Sequence, residues 1–76
     1  MQLEHFEQLL QHHLERRPFH VFVLDLQGGK RYEVDHPHSV ALKDGVAVFI
    51  APGGVPVWFD HESVTQIADA PAESAP

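Results

Sequence analysis

Apolar residues at the start of the chain recur every three or four positions. In LEHFEQLLQHHLERRP, Leu3, Phe6, Leu10 and Leu14 form one stripe, widened by Leu9. That spacing predicts a helix with one buried face. Pro18 ends it, since proline cannot sit in a helix interior and pushes the preceding Arg17 toward an extended conformation. Arg16 and Arg17 fall in the last turn, where cations suit the helix dipole. In FHVFVLDL the period changes to two, with Phe19, Val21 and Val23 facing one way and Phe22, Leu24 and Leu26 the other. Apolar residues on both faces predict a strand that is covered twice.

Turn residues then cut the chain into short pieces. Gln27-Gly28-Gly29-Lys30 reads as a tight turn, Lys43-Asp44-Gly45 as a second, and Ala51 to Pro56 as a third, because glycine supplies the positive φ that such turns need. Between them RYEV, VAL, VAVFI and VWF read as strands, with HPHSV interrupting the second of these paths. DHES predicts one helical turn and VTQI a short last strand. The expected architecture is mainly β with one N-terminal α-helix. In so small a sheet, edges are removed economically by bending it into a small five-stranded barrel of Sm-like or SH3-like type. Residues 1–67 would form the domain. Residues 68–76, rich in alanine and proline with two acids, would be a disordered tail.

Size sharpens the picture. A chain of 76 residues has room for one domain and buries little surface, so such domains commonly need a staple. There is no cysteine, which leaves a histidine-bound metal, a regular fold or oligomerisation. Eleven acids oppose five bases, for a net charge of −6. That balance is the reverse of what phosphate binding favours, so a protein partner is expected ahead of a nucleic acid. The first ten residues carry acids where a signal peptide needs bases, and no apolar run reaches membrane-spanning length. The expectation is a cytoplasmic protein with no membrane partner.

Two resemblances rest on particular residues. Pro18, Phe19, Gly28, Tyr32, Val34, His36, Pro37 and Val40 fit a Pro-Phe, Gly-turn, aromatic, Val-x-His-Pro-x-x-Val pattern. In this the chain resembles a small uncharacterised bacterial family, which implies no activity. The order of helix, Gly turn and bent strands, together with Phe59-Asp60-His61 before the last strand, resembles the Sm-like fold and its Hfq-like RNA chaperones. That likeness implies a ring whose pore segment contains His61. An RNA-binding version would gather Arg16, Arg17, Lys30, Arg31, Lys43 and His61 on one ring face. Asp60 stands where those chaperones carry lysine, giving a ring pore negative charge.

Seven histidines invite a metal. His36 and His38 are two apart, so on a strand both rings share a face. With His61 or Asp35 they would make a site for a divalent transition metal. Otherwise His36-Pro37 marks a strand bend, since proline cannot donate to a sheet ladder. His5 and His12 lie seven apart on one helix flank, a spacing that a helical metal pair does not use. His13 sits inside the apolar stripe, at the helix–sheet contact or a subunit interface. Histidines at an interface would weaken assembly on acidification. Ser39 beside His38 and Ser63 near His61 do not make a triad by adjacency, and no phosphate loop is present. An enzyme is not expected.

Trp58 and Phe59 are neighbours on a strand and must face opposite ways. A small domain has one interior, so a large apolar residue is left for the helix or a partner to cover. Leu9, His13, Phe22, Trp58 and Phe59 are the candidate interface residues. The expected function is a non-enzymatic interaction or assembly module, a homo-oligomer and in one form a ring. An Hfq-like RNA regulator and a histidine-based metal binder are the alternatives.

Overall fold

The apolar stripe folds as anticipated. Helix α1 spans Leu3–Glu15 and buries Phe6, Leu10 and His13. It stops at Arg16, whose backbone is extended and whose N–H bonds to the His12 carbonyl. Arg16 and Arg17 therefore lie just past the helix, not in its last turn. The structure, a computed structural model, describes residues 1–71.

Six strands follow: β1 (Phe22–Leu26), β2 (Arg31–Val34), β3 (Val40–Lys43), β4 (Val46–Ala51), β5 (Val55–Asp60) and β6 (Val64–Asp69). All pair antiparallel, in two three-stranded sheets of order β2-β1-β6 and β3-β4-β5. The expected closed five-stranded barrel is thus corrected to two small sheets, with no ladder joining them among the described residues. The physical reason lies at two corners. Residues 35–39 carry the chain from β2 in one sheet to β3 in the other, and a 3-10 turn, His61–Ser63, carries it from β5 to β6. Each strand path breaks where a barrel would need it to bend and keep pairing.

The first sheet contributes Phe22, Leu24, Leu26, Val34, Val64 and Ile67 to the core, and the second Ala47, Phe49 and Phe59. The helix closes the core by touching both. Phe6 meets Phe59 edge-on at 6.3 Å, and His13 lies 4.9 Å from the Phe22 ring. Phe19 was expected on the first strand opposite Phe22, but it precedes β1 and packs edge-on against Phe22 at 6.1 Å. Residues 68 and 69, expected in the tail, belong to a strand. β6 runs to Asp69, and Ala70 N–H still bonds to the Val21 carbonyl. The tail reading otherwise falls on residues 72–76, outside the described ones. No helix among the described residues is long and apolar enough to cross a membrane.

Candidate functional site

The β3–β4 hairpin starts from a two-residue turn, Asp44-Gly45, with φ of 54° and 79°. Both residues are left-handed, as the tight turn between twisted strands requires. That turn sets Lys43 opposite Val46, and Ala41 opposite Val48. The β4–β5 hairpin sets Val46 opposite Asp60, Val48 opposite Trp58 and Ile50 opposite Pro56. Side chains alternate along a strand, so these residues share one face in cross-strand rows. One row reads Lys43–Val46–Asp60, and the next Ala41–Val48–Trp58. A third holds Ile50 and Pro56 beside Ser39, whose carbonyl accepts from Ile50 N–H.

The rows between them, Leu42–Ala47–Phe59 and Val40–Phe49–Val57, turn inward. The Lys43, Ala41 and Pro56 rows therefore form the outside of the second sheet. Among the described residues this outside is largely apolar and uncovered, with Lys43 and Asp60 in its first row. Trp58 is 70% exposed, and Val46 and Ile50 are 46% exposed each. A hollow of about 270 Å³ beside Trp58 is lined by Ala41, Leu42, Lys43, Val46 and Val48. The first sheet supplies the comparison within the same molecule. Its outer positions are Val23 and Asp25 flanked by Glu33 and Arg31 on β2 and by Ala68 and Gln66 on β6. Arg31 Nε donates to Asp25 at 2.7 Å there. Asp25, Arg31, Glu33 and Gln66 dominate one outer face, whereas valine, isoleucine and tryptophan dominate the other, with Lys43 and Asp60 at its end.

The five anticipated interface residues separate accordingly. Phe22, Phe59 and His13 are spent on the chain's own core, and Leu9 packs against it, half-buried. Trp58 alone of the five lies on the open face. Sequence reasoning missed Ala41, Val46, Val48, Ile50 and Pro56. The alternation of VAVFI and its register against VWF carried that signal, because Val46, Val48 and Ile50 share parity with Trp58.

The metal candidates come together only in part, with the His36 and His38 rings 5.5 Å apart and His61 held elsewhere. Among the described residues no three histidine, cysteine, aspartate or glutamate side chains come together as a metal-holding group. His36 Nδ1 accepts the His38 backbone N–H at 3.1 Å, and Ser39 Oγ donates to the His36 carbonyl at 2.8 Å. His36 is thus part of the corner. His61 is held elsewhere: its Nδ1 donates to the Met1 carbonyl at 2.8 Å, and its ring lies against Phe6 and Gly45.

The cations are partly engaged as well. Arg16 grips the Asp69 carboxylate with both terminal nitrogens and draws that carboxyl below the usual range. Arg31 holds Asp25, and Arg17 donates to the Leu14 and Arg16 carbonyls. Lys30 and Lys43 are exposed. Asp69, expected in the tail, belongs to this ion pair. His13 Nδ1 lies 3.5 Å from Asp69 without a hydrogen bond. Burial lowers the His13 pKa, Arg16 and His12 lower it further, and Asp69 opposes them.

Comparison with protein families, with curated proteins and with solved structures returns no match. The site is therefore read from its own chemistry.

Proposed function

We propose that this chain is a non-enzymatic interaction module that associates with itself through the outer face of β3-β4-β5. The observation carrying this reading is the difference between the two outer sheet faces. An exposed face with Val46, Val48, Ile50, Pro56 and Trp58 in adjoining rows is the kind of surface that contact with another protein removes from water. The helix, which would otherwise cover apolar surface, is occupied at the junction of the sheets with Phe59 and Phe22.

Two sheets joined by sharp corners, preceded by a helix, are also what a relative of Sm-like or SH3-like proteins would present, and self-association suits that likeness. Net charge of −6 and the engagement of Arg16 and Arg31 with carboxylates favour protein over RNA as the partner. A non-catalytic role suits the titratable side chains that do gather, His12, His13, Arg16 and Asp69, where the Arg16 guanidinium engages the Asp69 carboxylate. A hollow of about 580 Å³ along Asp25–Arg31 and Thr65 is lined by a turn and by an Asp25–Arg31 pair that neutralise each other.

Sedimentation velocity over a concentration series tests the reading. The protein sediments faster as concentration rises, whereas Val48→Asp stays monomeric with an unchanged circular dichroism spectrum. A wild-type chain that sediments as a monomer throughout contradicts it.

A further inference from the structure

Resting on that reading, we infer that the partner is a second copy of this chain. The two copies stack β3-β4-β5 face to face about a twofold axis that lies in the contact plane along β4. The rows determine this choice. Such an axis exchanges β3 of one copy with β5 of the other and leaves each row on itself. Row by row, Lys43 then faces the partner's Asp60, Ala41 faces the partner's Trp58, and Val46, Val48 and Ile50 meet their own counterparts.

Charge and shape both complement under this operation. Among the described residues no side chain pairs with the Lys43 ammonium, and Asp60 is exposed with Oδ1 accepting from Ser63 N–H at 3.0 Å. Each copy brings one unpaired cation and one carboxylate to opposite ends of the same row, so the pair makes two ion contacts at its rim. The indole of each Trp58 falls over the smallest residue of the face, Ala41, in the 270 Å³ hollow. The strands β4 lie at the centre, apolar against apolar.

A twofold across the strands does worse. It sets Trp58 on Trp58 and Ala41 on Ala41, leaving a bulge and a gap side by side. It also sets Lys43 against Ser39 and Asp60 against Pro56, which leaves both charges without partners at a desolvated rim. The face is three strands wide at about 4.8 Å spacing and three rows long at about 7 Å spacing, a patch smaller than the ~800 Å² per partner of standard interfaces. The pair is accordingly a transient one, formed at micromolar concentration and above.

The chain has no cysteine, so single thiols report the register cleanly. With a short bis-maleimide, Val46→Cys and Ile50→Cys each cross-link to themselves, and Ala41→Cys does not. An axis across the strands gives the reverse, because only the Ala41–Val48–Trp58 row then meets itself. Charge exchange gives a second test. Lys43→Glu and Asp60→Lys each weaken self-association roughly tenfold, the scale of two rim pairs turned repulsive. Mixing the two variants restores it, since the mixed pair has both charge contacts intact.

Asp60→Lys also loses a turn cap. If it fails to fold, the Lys43→Glu sedimentation series and the cysteine pattern decide alone. Self-association with the reversed cysteine pattern, or unaffected by Lys43→Glu, overturns the register and leaves the self-association reading standing. A monomer up to several hundred micromolar overturns both. Co-purification of such a monomer with a different polypeptide assigns the face to that partner.

Discussion

Gly45 ties three parts of the molecule together. Its N–H donates to Glu7 of α1 at 2.9 Å, and its carbonyl accepts from His61 N–H at 2.8 Å. A Cβ at this position would lie 2.5 Å from Leu3 Cδ1 and 2.8 Å from His61 Cδ2, on a backbone with φ of 79°. Gly45→Ala therefore meets both a clash and left-handed strain. The expected loss is about 2–3 kcal/mol, read as a lower midpoint in urea with the slope unchanged. His13 gives a pH dependence with a defined sign. Its folded pKa lies below the unfolded value, so the unfolded chain binds the extra proton more readily. Stability is complete above about pH 6.5 and falls as pH drops below the unfolded histidine value. The groups facing it are Arg16 and His12, which oppose protonation, and Asp69 on β6, which favours it. His13→Gln should flatten the urea midpoint between pH 7.5 and pH 5. An equally steep profile in that variant would assign the effect to other groups.

At the level of elements, the two corners explain both what the sequence made legible and what it hid. Spacings of three and four placed α1 correctly, and the Asp44-Gly45 and Gly28-Gly29 turns were readable because left-handed backbone is a local property. Alternation also told that Trp58 and Phe59 face opposite ways, though not which of them is buried. The bend at His36-Pro37 was legible, but the destination of the chain after it was not. Whether a bent strand keeps pairing around a corner or passes into another sheet depends on partners distant in sequence, here β6 for β1. Asp69 was misplaced for the same reason, since its partner Arg16 is 53 positions away. Of the three suspected metal ligands, His36 and His38 share the corner, but His61 serves the helix–hairpin junction, so no third histidine joins them. His36→Ala should cost about 0.5–1.5 kcal/mol, the scale of one intramolecular hydrogen bond. Added Zn²⁺ should leave the melting temperatures of wild type and variant equally unchanged. A zinc-dependent rise in wild type that His36→Ala removes would restore the metal reading.

For the whole molecule, the informative quantity is the asymmetry between two sheets of equal strand number. Each buries its inner face in the same core, so folding does not require the outside of the second sheet to be apolar. Exposed as they are, Val46, Ile50 and Trp58 stabilise one chain only through cross-strand contacts of about 0.2–1 kcal/mol each, and the proposed second surface would add their burial. That surface was half-legible. Trp58 could be picked out as a residue wanting cover, whereas the valines around it become a patch only when the hairpin registers align them. Trp58 is the chain's one tryptophan, so it reports its own environment without interference. The direct measurement is Trp58 fluorescence across a dilution series from several hundred micromolar to below one micromolar, paired with Val48→Asp at each point. Burial of the indole between copies predicts blue-shifted, quencher-resistant emission at high concentration that reverts to the exposed spectrum on dilution, with Val48→Asp exposed throughout. Emission that stays at the exposed position in the wild type at every concentration would contradict self-association through this face.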